Sequence, residues 1–424
     1  MNNIIMYIDP GTGSMLFSVL IGLAAAGVFF LQKAWIKLKF YLSGGRAKDT
    51  AGERYAYVIF SDHKRYWNVF RPVCDEFERR KIECEFWTAS PDDPALACDY
   101  TYVHPKYIGS DNQAFAKLNF MKADICLATT PQLDVLQWKR SRNTKYYVHC
   151  YHAVTSNTTY RMFALDYYDA VLLNGAFQEH FIRVLEEKRH LPAKEVRVVG
   201  STYMDDLRAR IAEARKDAPR RDTAMKEGDA EADTTVLLAP SWGESSILCR
   251  FGEKILDALL ATGFRIIVRP HPQSFTADRA VMERLTAAYP DSDRLRWDRE
   301  VSNFGALSAA DIMISDFSGV VFDYVLGFDR PILYADTSFD VSPYDAAWID
   351  EPFWNLAQMP RLGRQLKEEE FPHLKEIIGE LIRSESAAAE REALRDEVWQ
   401  YPGEAAARTV DYLVEKREKL LSSD

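Results

Sequence analysis

The stretch Ile314–Tyr324, with the sequence ISDFSGVVFDY, joins an apolar run to a second apolar run through a short polar turn. Ile312–Ser315 has the length and composition of a buried strand, and Ser318 is a residue type that often caps the amino terminus of a helix. A strand followed at once by a helix is the repeating unit of a parallel α/β sheet. The segment therefore predicts a doubly wound α/β fold.

The same alternation of short apolar runs and helical stretches extends along most of the chain. The predicted strands of a first unit are Tyr55–Phe60, Glu83–Thr88, Tyr100–Val103, Ile125–Ala128, Lys145–His149, Ala170–Leu173 and Val196–Gly200. Those of a second unit are Thr235–Ala239, Phe264–Arg269, Leu295–Trp297, Ile312–Ser315 and Pro331–Tyr334. Two Rossmann-like units of this kind face each other across a cleft, and their ligands bind beyond the carboxyl ends of the strands.

Composition and charge divide the chain into segments. Residues 207–233 contain seven basic and seven acidic residues and few large apolar ones, which is typical of a solvated helix or a flexible linker. The predicted segments are an anchor with a basic region at 1–48, a first Rossmann-like domain at 49–206, a charged linker at 207–233, a second Rossmann-like domain at 234–365 and C-terminal helices at 366–424.

The amino-terminal segment has the pattern of a membrane span. Pro10–Gln32 contains 23 residues without a charge, and about 20 apolar residues suffice to cross a bilayer as a helix. No basic region precedes it, as a cleaved signal peptide would require, whereas basic residues follow from Lys33 to Lys48. The positive-inside rule then predicts a single-pass protein of the cytoplasmic membrane, with its amino terminus outside and its catalytic domains in the cytoplasm. The alternative is a buried core helix.

The overall composition excludes several classes of protein. Hydrophobic residues make up 47% and charged residues 27% of the 424 residues, which rules out collagen-like and disordered chains. A net charge of −10 argues against nucleic-acid binding. The six cysteines show no CxxC spacing, which favours free thiols in a reducing compartment over a disulfide framework or a zinc site. The chain also lacks a GxGxxG, P-loop or nucleophile-elbow motif.

Three strand ends of the second unit carry polar residues suited to a phosphate. Ser241 lies in a tight Pro-Ser-Trp-Gly turn after the first strand, although an ordinary turn would look the same. Two prolines fix the backbone around Arg269 and His271, which suits a charged pair that binds a phosphate with little loss of entropy. An Arg and a His together on a stiff loop indicate a phosphate site more strongly than a lone His does, because a lone His more often has a structural role.

The third strand end is the turn that joins Ile312–Ser315 to its helix. The hydroxyls of Ser315 and Ser318, with the backbone amide of Gly319, predict an anion site at a helix amino terminus. Asp316 would repel a phosphate, so it is expected to orient the loop or to bind a hydroxyl. A capped helix without a ligand is the alternative. Two such strand ends in one domain indicate a nucleotide diphosphate.

These segments resemble a known family. The chain is similar to the CDP-glycerol glycerophosphotransferases, which are teichoic acid primases and polymerases with a GT-B fold. Three segments of the chain resemble the C-terminal signature of that family: RPHP at 269–272, the run 314–324 and Arg330–Tyr334. Weaker matches are the turn Pro240–Trp242, the glycine-led segment Gly200–Asp205 and the strand-end segment Val148–Ala153, in which Ala153 replaces the usual Gly and the lysine that normally follows is missing.

The resemblance implies transfer of glycerol phosphate from CDP-glycerol to the hydroxyl of a lipid-linked or polymeric acceptor, with release of CMP. It implies His152 as the general base, with His149 as its competitor, and His271 as a donor to the pyrophosphate beside Arg269. The other expected substrate-binding residues are Ser241, Trp242, Ser315, Asp316, Ser318, Gly319 and Asp323, the last of which would accept hydrogen bonds from ribose or glycerol hydroxyls or simply match the helix dipole. No cofactor and no protein-held metal is expected.

Two other functions fit the same pattern. A GT-B glycosyltransferase with a sugar-nucleotide donor would use the same phosphate site, because the fold alone does not set the donor. A membrane-tethered component of envelope-polymer assembly could bind a nucleotide without turnover. The pairing of His152 with His271 argues against the second alternative, since a pure binder needs no base.

Overall fold

Two parallel β-sheets organise the part of the chain that the structure describes. The structure is a computed structural model that describes residues 54–217, 234–300, 302–337, 339–384 and 388–422. Residues from Tyr55 onward form one unit that contains both sheets. The proposed membrane span Pro10–Gln32 lies outside the described residues, and no helix within them is both long and apolar enough to cross a bilayer.

The first sheet has seven described strands, all paired in parallel. They are β1 (Tyr55–Ser61), β2 (Cys84–Thr88), β3 (Val103–Tyr107), β4 (Ala123–Ala128), β5 (Thr144–Cys150), β6 (Ala170–Leu173) and β7 (Glu195–Val198). Their order is β3-β2-β1-β4-β5-β6-β7, so the chain reverses its direction of winding between β1 and β4. Ligands of open α/β sheets bind at such a switch point.

The second sheet repeats this arrangement with six described parallel strands. They are β8 (Thr235–Leu238), β9 (Arg265–Val268), β10 (Leu295–Trp297), β11 (Ile312–Ser315), β12 (Ile332–Ala335) and β13 (Gly363–Leu366). The order β10-β9-β8-β11-β12-β13 places a second switch point between β8 and β11. The prediction of two doubly wound parallel sheets is confirmed.

Thirteen α-helices in the described residues cover the two sheets and join them. They are α1 (Trp67–Arg80), α2 (Asn112–Leu118), α3 (Phe177–Arg189), α4 (Thr202–Asp217), α5 (Ile247–Ala261), α6 (Ser274–Ala277), α7 (Arg279–Ala288), α8 (Phe304–Ala309), α9 (Val320–Phe328), α10 (Trp354–Leu362), α11 (Leu374–Arg383), α12 (Ala388–Val398) and α13 (Ala405–Ser422). Every residue of β4, β6, β8 and β11 is buried. Strands covered on both faces have such continuous apolar sequences, which is why they could be predicted.

Two edge strands depart from the predictions. We expected a strand at Tyr100–Val103, but β3 runs over Val103–Tyr107 and contains Pro105. Proline is tolerated there because the strand lies at the edge of its sheet and needs fewer hydrogen bonds. The other edge strand, β13, has the polar sequence GRQL and gave no apolar signal. A Cβ atom on Gly363 would lie 2.2 Å from the carbonyl oxygen of Ile332, so the close pairing with β12 requires glycine there.

Part of the expected linker is a helix. Residues 207–217 belong to α4, and Leu207 and Ile211 on its inner face are buried in the same cluster as α9. For this stretch the structure shows the helix of the two alternatives, and its few apolar residues lie on one face and pack against the second domain. Residues 218–233 lie outside the described part of the chain.

The last helix returns to the first sheet. Helix α13 packs on the first domain through ion pairs that join Asp411 to Arg80 (2.5 Å), Lys416 to Glu195 (2.6 Å) and Arg417 to Asp124 (2.9 Å). The C-terminal residues were expected only to be helical after the second domain. Their last helix instead helps to hold the two sheets in one unit.

Candidate active site

A cleft of about 520 Å³ lies where the carboxyl ends of the two sheets face each other. The first sheet contributes the loop after β1, and the second contributes the loops after β8 and β9 and the start of α9. Residues lining the cleft include Lys64, Arg65, Trp67, Tyr203, Arg210, Pro240, Arg269, His271, Ser302, Asn303, Ser318 and Val320. A second groove, of about 570 Å³, lies on the outer face of the second domain between α5 and residues 368–376, away from the strand ends.

His152 follows β5 and lies beside the loop after β1. Its Nδ1 atom is 3.0 Å from the hydroxyl oxygen of Thr129, which follows β4. Its ring centroid is 4.8 Å from that of Tyr66. Burial and the positive charge of Arg65 lower the pKa of His152 to about 4, so the imidazole is neutral at neutral pH. When Nδ1–H donates to Thr129, the Nε2 lone pair is left to accept a proton.

His149 lies in a different environment, inside the first domain. It is fully buried among the rings of Tyr151, Tyr160 and Tyr168, and its Nε2 atom is 3.3 Å from the Tyr160 hydroxyl. Burial lowers its pKa well below the ordinary value. A base must reach the proton that it accepts, and His149 has no solvent exposure. Of the two histidines, only His152 is partly exposed to solvent.

Asp316 organises the turn after β8. Its carboxylate is buried and accepts hydrogen bonds from the backbone amides of Ser241 (2.8 Å) and Ile247 (3.0 Å). This contact corresponds to the first of its two expected roles, the orientation of a loop. Ser241, which we expected to bind substrate, is itself buried.

The structure corrects the expected role of Ser315. Its hydroxyl is fully buried and donates to the carbonyl oxygen of Ala239 at 2.6 Å, so it joins β11 to the end of β8 and does not face a ligand. Both faces of β11 are buried, and the sequence alone does not reveal that the hydroxyl of this strand-end serine bonds the neighbouring strand.

The turn at the start of α9 also differs from the prediction. The helix begins at Val320 with Gly319 as its cap residue, and no side chain caps it, so Ser318 is not the N-cap. Ser318 instead lines the cleft. Gly319 has a φ of −61°, and a Cβ atom there would only reach Thr155 Cγ2 at 3.8 Å, so its backbone does not require glycine. The amino terminus of α9 still lies at the cleft and favours an anion.

Arg269 and His271 after β9 have different environments. The Arg269 guanidinium is mostly buried and donates to Asp298 (2.7 Å) and to the carbonyl of Glu300 (2.9 Å). Its charge, which we expected to face a phosphate, is thus largely compensated by Asp298. His271 is exposed in the cleft, and its ring lies 6.4 Å from that of Trp242.

The tautomer of His271 follows from its contacts. Its Nδ1 atom accepts a hydrogen bond from the backbone amide of Gln273 at 3.1 Å. Partial desolvation by the surrounding cleft and the Arg65 charge lower the pKa of His271, which favours the neutral ring at neutral pH. A neutral imidazole whose Nδ1 accepts must carry its proton on Nε2. His271 therefore presents an N–H donor at Nε2, as a ligand for a phosphate oxygen should.

Asp323 does not face the cleft as an open acceptor. Its side chain is buried in α9, where one oxygen accepts a hydrogen bond from the Tyr203 hydroxyl at 2.9 Å and the other has no partner among the described residues. Burial raises the pKa of Asp323 to about 7. The expected contact with ribose or glycerol hydroxyls is therefore replaced by Tyr203, a cleft residue that the sequence did not single out.

This buried carboxyl predicts a pH-dependent stability. Because the folded pKa of Asp323 lies above its unfolded value near 4, stability is lost as the pH rises from about 4 through 7. We expect Asp323→Asn to be more stable than the wild type at pH 8, by up to about 4 kcal/mol at 1.4 kcal/mol per pKa unit. Thermal unfolding at pH 4 to 8 measures this. Parallel curves for the two proteins would show that folding does not raise the pKa of Asp323.

The loop after β1 was missed as part of the site. None of its residues was among the expected site residues; Lys64–Tyr66 forms a short 3-10 helix directly before α1, which begins at Trp67. The sequence feature that could have identified this loop is a cluster of polar residues directly after an apolar strand, the same pattern that identified the strand ends of the second domain.

Within the described residues no group of three or more His, Cys, Asp or Glu side chains is placed to hold a metal ion.

Comparison with solved structures shows the fold. The chain is similar to the wall teichoic acid polymerase TagF, with a TM-score of 0.56, 15% identity and coverage of 93% of this chain and 99% of that chain. A TagF variant soaked with CDPG gives a TM-score of 0.53 at 14% identity, covering 86% and 89%. A putative UDP-N-acetylglucosamine 2-epimerase from Listeria monocytogenes gives 0.53 at 12% identity, covering 87% and 98%. These likenesses establish a GT-B-like fold.

Comparison by sequence identifies the family. No curated protein matches the chain. The family model described as CDP-Glycerol:Poly(glycerophosphate) glycerophosphotransferase matches residues 121–415, a range that includes His152, His271 and the whole of the second sheet. Together with the two switch points and the cleft between them, this match shows that the chain belongs to the CDP-glycerol:poly(glycerophosphate) glycerophosphotransferase family.

Proposed function

We propose that this glycerophosphotransferase-like enzyme transfers glycerol phosphate from CDP-glycerol to the hydroxyl of a lipid-linked or polymeric acceptor and releases CMP. The observation that carries the proposal is the pairing of two neutral histidines with opposite hydrogen-bonding roles. His152 of the first domain can offer a lone pair, and His271 of the second domain offers an N–H donor. The charge of one residue, Arg65, acts on both rings.

The reaction follows from these roles. The acceptor oxygen attacks the phosphorus that carries glycerol, and the bond from that phosphorus to the oxygen of CMP breaks. His152 takes the proton of the attacking hydroxyl at Nε2. His271 donates from Nε2–H to a phosphate oxygen, and the amino terminus of α9 stabilises the negative charge. The turn held by Asp316 keeps the β8 loop in place beside this site.

A comparison of donors tests this function. The purified full chain is incubated with CDP-glycerol, UDP-N-acetylglucosamine or CMP-sialic acid, each with isolated membranes as the source of acceptor, and nucleotide release is measured. CMP release from CDP-glycerol that depends on the acceptor is the expected result. Turnover of a sugar nucleotide alone would favour a glycosyltransferase. Nucleotide binding without turnover of any donor would favour a binding component.

We also propose that Pro10–Gln32 anchors the protein in the cytoplasmic membrane, with both sheets in the cytoplasm. The support is the length of the charge-free run and the basic residues that follow it. External protease added to cells with a permeable outer layer should leave residues 54–424 intact until the membrane is opened. Their digestion in sealed cells would contradict the orientation.

A further inference from the structure

The loop between β1 and α1 presents a cation to the cleft. Arg65 is exposed and lines the cleft, although it lies outside residues 121–415, the range that the family model covers. The loop is held in a defined shape. The Lys64 amide donates to Ser90 Oγ at 3.0 Å, the Arg65 amide donates to His63 Nδ1 at 3.1 Å, and the Ser61 hydroxyl donates to the His63 carbonyl at 3.0 Å.

Arg65 differs from the other cations that line the cleft. Lys64 pairs with Asp92, Arg210 lies 4.0 Å from Asp206, and Arg269 lies 2.7 Å from Asp298. Within the described residues, Arg65 makes no ion pair with a carboxylate. Asp62 in the same loop acts electrostatically on Arg65 without forming an ion pair with it, and burial raises the pKa of Asp62.

Ring contacts place this cation close to the proposed base. The Arg65 guanidinium lies 5.0 Å from the centroid of the Tyr66 ring, and the Tyr66 ring lies 4.8 Å from that of His152. The Arg65 charge also lowers the pKa of both His152 and His271, which belong to different domains. Arg65 is therefore a positive charge without an ion-paired carboxylate, and it acts on both sides of the cleft.

We propose that Arg65 binds the diphosphate of CDP-glycerol and so holds the transferring phosphorus within reach of both His152 and His271. An arginine suits this task because its planar fork can bind two phosphate oxygens. The inference rests on the proposed function and adds a first-domain residue to the donor site. It also predicts that a bound diphosphate neutralises Arg65 and thereby makes His152 a stronger base than in the empty cleft.

Titration calorimetry of the full chain in detergent tests this role. We expect Arg65→Met to raise the Kd of CDP-glycerol and of CDP roughly 10- to 100-fold, the loss typical of charge-assisted hydrogen bonds. The affinity for cytidine, which has no phosphate, should not change. Arg65→Lys should restore part of the loss, because it keeps the charge but not the fork.

Arg79→Met is the matched control, since it removes from α1 an arginine that does not line the cleft and that Glu76 already compensates. Its Kd for CDP-glycerol should change less than about threefold. If Arg65→Met is folded and binds CDP-glycerol and CDP like the wild type, the inference is wrong. An increase only in the KM of the acceptor would likewise overturn it, by assigning Arg65 to the acceptor. Failure of the wild type to bind either nucleotide would instead refute the proposed function, and this inference with it.

Discussion

Replacement of His152 by alanine should lower kcat by about 100- to 10,000-fold, the usual contribution of a general base. The Kd of CDP-glycerol should stay within about threefold of the wild-type value, because a ring held by Thr129 and Tyr66 in the first domain is not needed to bind the donor. Single-turnover rates with saturating donor, together with calorimetric titration of CDP-glycerol, separate the two effects.

Thr129→Val is the matched control for this experiment. It leaves the imidazole in place but removes the hydrogen bond at Nδ1, so we expect a smaller loss of kcat, about 10-fold. A folded His152→Ala protein that no longer binds CDP-glycerol would place His152 in the donor site. Unchanged rates in both variants would mean that the reaction uses another base.

Replacement of His271 by alanine should raise the Kd of CDP-glycerol by about 10- to 150-fold, which corresponds to the loss of about 1.5–3 kcal/mol of hydrogen bonding to a charged group. The reason is the fixed tautomer. Because Nδ1 accepts from the Gln273 amide, the Nε2–H group is the donor that a phosphate would lose. Calorimetric titration of CDP-glycerol and of CDP into the full chain measures this loss.

His271→Gln tests whether the donor group or the ring matters, since the amide of glutamine also offers an N–H. We expect it to bind CDP-glycerol more tightly than His271→Ala does. Equal weakening in the two variants would indicate that His271 acts through its packing beside Trp242. Normal binding by His271→Ala, with a large loss of rate, would show that His271 acts on the reaction and not on donor binding.

The sequence predicted which residues lie near the cleft more accurately than it predicted what each side chain contacts. His271, Ser318 and the turn before Trp242 were found because polar residues follow apolar strands, and the structure places His271 and Ser318 on the cleft wall. Ser315 was found by the same rule but is buried, and so is Asp323, which the family resemblance implied. The rule identifies strand ends, whereas the direction of each side chain depends on strand register and on partners such as Ala239 and Tyr203.

Arg65 and Tyr203 show the limit of the same approach. Neither residue is near His271 in the sequence, and each reaches the cleft only because the two sheets face each other. The compensation of Arg269 by Asp298 could not be predicted either, because the partners lie on the neighbouring strand ends of β9 and β10. The charge of a residue indicates what it can bind, whereas only the folded structure shows whether an opposite charge of the protein already compensates it.

By itself, the sequence determined the two parallel sheets and the family, because strands buried on both faces must be continuously apolar and strand-end segments such as RPHP are local in the chain. Only the tertiary structure decided the edge strands β3 and β13, the return of α13 to the first domain and the complete burial of His149. These features depend on contacts between residues far apart in the chain. Burial and charge compensation arise from such contacts, and no local pattern encodes them.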